Sequence, residues 1–373
     1  MSERQSDILD GIKQWVELES FSEAGGHVNR LMDVVEAGWR AHGAAVERIS
    51  GQDGFGDHLS ISSPWGDPDE PGVLVLCHLD TVHPIGTLAE QLPFQVDGDN
   101  AYGPGIYDMK GGAYLAFHAY GEIVREAGRT PLPLRFLYTA DEEVGSGTSR
   151  ALIEEKGKSA KYALVTEPAR DGGKVVTGRK GVGRYRIRTV GQAAHAGSRH
   201  ADGRNAILEM ARQIAHIQAM TNYERGVTTN VGLITGGTAE NVVPQFCEAT
   251  IDTRAETIAD ARELDAALRV LTPFDPDCQV IVEGEINRQP YEKSEGGSRL
   301  MTHARQLAAE LGFTLEDTFT GGGSDGNFIA HEVPTLDGLG VDGDGAHTLH
   351  EHMYVSSIEP RMLLQKRLMI TLQ

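Results

Sequence analysis

The sequence predicts an α/β protein: a central, mostly parallel sheet flanked by helices, with an inserted ferredoxin-like β-α-β-β-α-β domain. Three observations predict it. In the first part of the chain, short apolar runs rich in β-branched residues alternate with helical periods, the pattern of a sheet buried on both faces. From about Gly181 the order becomes strand, helix, strand, strand, helix, strand, which is the split βαβ arrangement. After Gln289 and Pro290 the first rhythm resumes. Residues 1–179 and 290–373 therefore read as one domain and 180–289 as a second, inserted one. A length of 373 residues suits two domains at about 150 residues each.

The elements follow in order. Ile8, Ile12, Trp15 and Val16, then Val28, Leu31, Met32, Val35 and Trp39, recur at spacings of three and four and predict two helices, with Gly43 as C-cap of the second. Strands are expected over His58–Ser62, Val73–Cys77, Leu134–Thr139 and Tyr162–Thr166, with helices over Gly112–Ala127 and Thr148–Lys156 between them. In the insertion, strands are expected at Gly183–Val190, Thr229–Ile234, Phe246–Arg254 and Gln279–Ile286, and helices at Asn205–Met220 and Thr257–Leu271. The closing helices are Ser298–Leu311 and Pro360–Leu372. In such a sheet, functional loops belong at the strand C-termini.

Composition narrows the function. A net charge of −20 argues against nucleic acid and against an anionic membrane surface as partners. The three cysteines, Cys77, Cys247 and Cys278, lie far apart, which is neither a disulfide framework nor a metal knuckle and reads as a reducing compartment. The N-terminus mixes charged and apolar residues instead of holding an apolar run, and no stretch approaches 18 apolar residues. These features lead us to expect a cytoplasmic protein.

Five clusters then stand out at predicted strand ends or in loops. The strand Val73–Cys77 runs into His78-Leu-Asp80. A polar pair at i and i+2 shares one face, so the two residues form either a plain turn or an imidazole oriented by a carboxylate. Gly103-Pro-Gly-Ile-Tyr-Asp108 leads into a helix; it caps that helix or offers Asp108 to a cation, and it lacks the third glycine of a dinucleotide site. Glu142 and Glu143 follow the strand Leu134–Thr139. Adjacent strand residues face opposite ways, so they are solvated surface unless the chain bends there, as Gly145 and Gly147 permit. Glu167 follows Val165-Thr166, and Gly345-Ala-His347-Thr-Leu-His350-Glu351-His352 lies near the C-terminus. Together, His78, Asp108, Glu143, Glu167 and His347 give two histidines and three carboxylates on one sheet edge. That donor set suits a pair of zinc or similar ions, with Glu142 as a proton carrier.

His78-x-Asp80-Thr-Val, Gly103-Pro-Gly-x-x-Asp108-x-Lys-Gly-Gly, Asp141-Glu142-Glu143-x-Gly-Ser, Glu167-Pro and His347-x-x-x-Glu351 resemble, in order and spacing, the motifs of the M20 metallopeptidases. That family includes acetylornithine deacetylase, succinyl-diaminopimelate desuccinylase, aminoacylase and glutamate carboxypeptidase. The stretch from Pro93-Phe94 to Gly105 is most similar to the glutamate carboxypeptidase (carboxypeptidase G) branch. The resemblance covers nearly the whole chain. It implies a phosphorylase/hydrolase-like zinc exopeptidase domain carrying two Zn²⁺ per subunit, with Co²⁺ or Mn²⁺ as substitutes. Asp108 would bridge the two ions, His78 and Glu167 would complete one site, and Glu143 and His347 the other. Glu142 would be the general base acting on a metal-bridged water, and Asp80 the partner of His78. The insertion would be the family's lid and dimerisation domain, making a homodimer. Its Gly191-Gln-Ala-Ala-His195-Ala-Gly motif would bring His195 to a neighbouring subunit's active site as an oxyanion donor. Read without the family, His195 is a histidine in a Gly/Ala turn.

By the same resemblance, Asn241 and Arg254 would hold the substrate's free carboxylate, a task that suits a planar guanidinium. Gly323, in Gly321-Gly-Gly-Ser-Asp325, would let substrate approach the backbone. Lys174 would contact an acidic side chain, with Arg179 and Lys180 as nearby competitors. Two departures stand out: Met109 follows Asp108 where many relatives carry an acid, and His350 and His352 flank His347. The expected activity is hydrolysis of an amide in a small peptide, releasing an amino acid with a free α-carboxylate. The alternatives are an N-acyl-amino-acid deacylase on the same machinery and a non-catalytic module that binds metal or an amino acid.

Overall fold

The computed structural model describes residues 2–67, 70–126 and 128–373, which form two compact units. One comprises Met1–Thr177, Lys293–Phe319 and Ser324–Gln373; the other comprises Gly178–Glu292 and Thr320–Gly323. The second unit thus also takes in Gly321–Gly323, a segment that sequence order alone assigns to the first.

The first unit is a six-stranded sheet with strand order Ala45–Ile49, His58–Ser62, Leu134–Thr139, Gly72–His78, Ala160–Val165 and Thr335–Leu336. The four strands from Leu134–Thr139 onward are parallel, whereas the first two joins are antiparallel. The sheet is therefore parallel at its centre and mixed at one edge, where Ala45–Ile49 forms a strand the sequence reading did not assign. Gly72–His78 is buried at every position, so its apolar run has no alternation to show. Helices cover the sheet: Glu3–Val16, Gly25–Ala41, Gly111–Glu126, Arg150–Gly157, Glu295–Glu310 and Ile358–Thr371. Ala127, expected to end the third of these, lies outside the described residues. The first helix starts at Ser2, whose hydroxyl accepts the Gln5 N–H at 3.0 Å while the Gln5 side chain accepts the Ser2 N–H at 3.2 Å, a reciprocal cap. Trp39 anchors the core, with its ring centre 4.3 Å from that of Phe136 and 4.7 Å from that of Tyr120.

Register places the strand ends together: His78 lies beside Thr139, and Leu76 beside Val165. The Asp141–Glu143 turn and Glu167 therefore leave the same edge that His78 occupies. Close backbone contacts fix the neighbouring layers. A Cβ on Gly112 would meet Thr166 O at 2.1 Å, and one on Gly340 would meet Thr166 O at 2.4 Å. A four-stranded antiparallel sheet of Gly343–Asp344, His352–Tyr354, Asn100–Tyr102 and Gln95–Asp97 ties the C-terminal segment to the chain just before Gly103. None of these four short strands carries a run long enough to read from sequence.

The second unit has the strand order Thr228–Gly236, Phe246–Ala255, Gly181–Val190 and Gln279–Arg288, with every join antiparallel, plus helices Ala206–Gln218 and Ile258–Arg269. This is the ferredoxin-like order. Phe246–Ala255 buries alternate residues, as a sheet covered on one face does.

Candidate metal centre

The parallel strands deliver His78, and what surrounds its ring depends on three segments beyond strand ends. His78 is 2 % exposed. Its Nδ1 lies 3.0 Å from the main-chain oxygen of Asp80 and 3.5 Å from Asp80 Oδ1. The nearer acceptor is thus the peptide carbonyl, with the carboxylate expected from sequence next to it. A neutral ring that donates through Nδ1 would present Nε2 as an electron pair. Nε2 points to Asp108 Oδ1 at 3.3 Å and Glu167 Oε1 at 3.7 Å, yet among the described residues it is buried without a hydrogen bond.

The Asp80 carboxylate has further work. Oδ1 accepts the Glu142 N–H and Oδ2 the Glu143 N–H, each at 3.2 Å, while the Ser22 hydroxyl donates to Oδ2 at 2.7 Å. Those bonds hold the turn that follows Thr139, where Ser146 N–H reaches Asp141 O at 2.7 Å and Gly145 N–H reaches Glu142 O at 2.9 Å. Gly145 has φ 107°, a conformation that favours glycine. Extension therefore ends at this turn, and both glutamates join one cluster. Ligand atoms of His78, Glu142 and Glu167 lie within 4.8 Å of one another, as do those of His78, Asp108 and Glu143.

The C-terminal loop closes the cluster. His347 Nε2 lies 3.1 Å from Glu143 Oε2 and 3.5 Å from Asp108 Oδ2. Of the flanking histidines, His352 Nδ1 engages the His350 carbonyl at 2.8 Å and its ring lies 5.3 Å from that of Tyr102, while His350 is exposed. Met109 is buried, and its Sδ accepts the His78 N–H at 3.2 Å, a contact that an acid at this position would alter.

Electrostatics mark the cluster as short of positive charge. Burial, followed by the Asp108 charge, pushes the Glu143 carboxyl up to about 8 against the pull of His347. The neighbouring Asp108 and Glu143 raise His347 to about 11. Burial opposes ionisation of His78, but Asp108 and Asp80 hold it well above its usual range. Asp108 is buried too, and the His347 and His78 rings, with Arg170, keep it far below the usual carboxylate range. Protons here do the work of counter-ions. Among the described residues Glu143 Oε1 and His78 Nε2 are buried without hydrogen-bond partners, so the donor set fits cations, because buried polar atoms otherwise need partners.

The remaining expected residues have their own settings. In the second unit, His195 Nδ1 accepts the N–H groups of Gly197 at 3.1 Å and Ser198 at 3.2 Å. That assigns the proton to Nε2 and leaves an exposed ring with an outward donor. Arg254 grips Asp252 through Nε at 2.8 Å and Nη2 at 2.9 Å. Asn241 is exposed, and its main-chain oxygen accepts the Ala196 N–H at 2.9 Å. A Cβ on Gly323 would lie 2.9 Å from Arg288 Cδ. In the first unit, Lys174 Nζ lies 3.7 Å from Glu316 Oε2. Sequence reasoning missed the work of His83 and Glu351, which meet at 2.6 Å behind Asp108. Only the last position of the His347-x-x-x-Glu351 spacing signalled it.

Comparison with known proteins points the same way. The family model described as peptidase family M20/M25/M40 matches residues 74–371. The chain is 32 % identical over 310 residues to carboxypeptidase G2 of Pseudomonas sp. (strain RS-16), covering 80 % of this chain and 74 % of that protein. It is 28 % identical over 396 aligned positions to a succinyl-diaminopimelate desuccinylase of Delftia acidovorans, covering 99 % and 98 %. Among solved structures, the M20 family metallo-carboxypeptidase Sso-CP2 from Sulfolobus solfataricus superposes with a TM-score of 0.77 at 14 % identity, covering 99 % of each chain. At that identity the likeness speaks for the fold alone.

Proposed function

The chain belongs to peptidase family M20/M25/M40, a family of amide-bond hydrolases, and on that premise we propose that it is a glutamate carboxypeptidase-like exopeptidase. It would cleave a small peptide or acyl conjugate to release an amino acid with a free α-carboxylate. The observation that carries this reading is the buried cluster of His78, Asp108, Glu143 and Glu167, two of whose atoms lack partners, with Glu142 beside it. Asp108 would be shared by two divalent cations. His78 and Glu167 would hold one, Glu143 and His347 the other, with zinc as the metal and Co²⁺ or Mn²⁺ as substitutes. Cations there would polarise the scissile carbonyl and acidify the attacking water.

The chain's own groups do the rest. The Glu142 carboxylate takes the proton of the attacking water and passes it to the leaving nitrogen. Asp80 keeps Glu142 and Glu143 in place through their amides. His195, whose Nε2–H faces outward, donates to the oxyanion from a partner subunit in a homodimer formed through the second unit. Arg254 and Asn241 take the substrate's α-carboxylate; the pair with Asp252 uses Nε and Nη2 of Arg254 and leaves Nη1 outside it. Gly323 gives the substrate backbone access, and Lys174 meets an acidic side chain on exchanging Glu316 for it. Among the described residues no helix is long and apolar enough to cross a membrane, and the cysteine usage supports a cytoplasmic setting.

Glu142→Ala should lower kcat by about 10²–10⁴-fold while zinc per chain, measured by atomic absorption, stays at the wild-type value; substantial retained activity would overturn the assignment. His195→Ala should lower kcat more than it raises KM. The desuccinylase relative favours one second reading, an N-acyl-amino-acid deacylase. A panel of α- and γ-glutamyl peptides against N-succinyl and N-acetyl amino acids separates the two.

A further inference from the structure

Glu351 is a motif residue to which the proposed chemistry gives no task, and it is 1 % exposed. Its Oε1 accepts the N–H groups of Tyr107 at 2.9 Å and Asp108 at 3.0 Å. Its Oε2 accepts the Gly105 N–H at 3.0 Å and meets His83 Nε2 at 2.6 Å. These amides belong to a turn that cannot satisfy them within a helix. Gly105 sits there with φ 72°, and a Cβ on it would meet Thr81 Cγ2 at 2.4 Å. Four residues earlier on the same segment, the His347 ring reaches Asp108 Oδ2. Short bonds brace that segment internally: Thr348 N–H to Gly345 O at 3.0 Å and Glu351 N–H to Thr348 O at 3.3 Å. One stretch of chain thus holds Asp108 by its side chain and by its main chain at once.

We infer that Glu351, backed by His83, is the positioning residue for Asp108: it fixes the peptide from which the shared carboxylate projects and couples that carboxylate to the loop carrying His347. A carboxylate suits this place because three amide donors converge on it and only an acceptor-only group can face them all. The inference rests on the reading of this cluster as a metal centre.

The test uses Zn²⁺ as the probe and needs no turnover. Chelator-stripped wild type and Glu351→Gln are titrated with Zn²⁺ against a competing chelator, and amide exchange is followed in the peptide spanning 103–110. In the variant an NH₂ group must face at least one N–H donor. Zn²⁺ should bind about 10–100-fold more weakly, the range for groups that orient a ligand, and exchange in that peptide should quicken. His83→Gln leaves the three amide bonds intact and should weaken Zn²⁺ binding measurably but less than about tenfold; it carries the test if Glu351→Gln does not fold, unchanged affinity in it then overturning the inference. A merely structural Glu351 would lower Tm and leave Zn²⁺ affinity unchanged, which would overturn the inference while the metal reading stands. Failure of the wild type to bind Zn²⁺ would overturn that reading, and the inference with it.

Discussion

The two histidines of the cluster are held by opposite means. His78 ends a strand buried at every position and is 2 % exposed, with its second nitrogen committed to the Asp80 carbonyl. His347 stands on a loop in the left-handed region, φ 64°, with its side chain 53 % exposed. One end is built into the sheet before any ion arrives; the other depends on a short loop. The difference teaches that the two sides of the proposed metal centre need not be equally pre-formed.

Substitutions can break or sharpen this contrast. The largest effect is expected from His78→Ala, which should weaken Zn²⁺ binding on its side by more than about 100-fold, beyond the range for a group that only orients a ligand, and take activity to background. His347→Ala should cost one Zn²⁺ per chain and leave the other bound, as read by metal content after dialysis. Equal losses from both variants would erase the contrast. Asp80→Asn comes next. It keeps the main-chain carbonyl that orients His78 but places an NH₂ against Ser22 or a glutamate amide, so kcat should fall about 10–100-fold while Zn²⁺ on the His78 side is retained better than in His78→Ala.

The smallest effect concerns the chelator-stripped protein. Glu143 is raised from 4.5 to about 8 and His347 from 6.5 to about 11. A raised value means that the folded state binds the proton more tightly, so the stability it contributes is complete below the unfolded value and lost as pH climbs through the folded one. Tm of the stripped protein should therefore decline from about pH 4.5 upward as Glu143 ionises, with His347 adding to the decline above about pH 6.5. Addition of Zn²⁺ should flatten the curve; a stripped protein whose Tm is flat from pH 5 to 8 would contradict the charge shortage described for this cluster.

Much of this arrangement was legible in the sequence, and what escaped has a physical pattern. Val73–Cys77, Leu134–Thr139 and the β-α-β-β-α-β order were readable because long apolar or alternating runs declare their burial. The residues His78, Asp108, Glu142, Glu143, Glu167 and His347 were readable because each follows such a run or a glycine turn. Three things were hidden. The antiparallel edge of the first sheet was hidden because Ala45–Ile49 has no buried residue and is mixed in polarity. The work of Glu351 was hidden because its partners lie 243 to 268 residues away, and no local pattern announces a buried carboxylate that serves distant amides. The division of labour at Asp80 was hidden because spacing reveals that a carboxylate is near a histidine and not whether its oxygen or its peptide carbonyl does the orienting.

Gly112 and Gly340 both press main chain against Thr166, with room for no methyl group at either place. Gly112 lies in the first turn of the helix that follows Asp108, and Thr166 precedes Glu167, so two layers of bare backbone meet between the segments that carry those two carboxylates. The centre therefore contains its own ruler. A Gly112→Ala exchange removes no ligand and adds no charge, yet it asks two layers of peptide to separate, and the choice of which ions still span the gap would report the displacement.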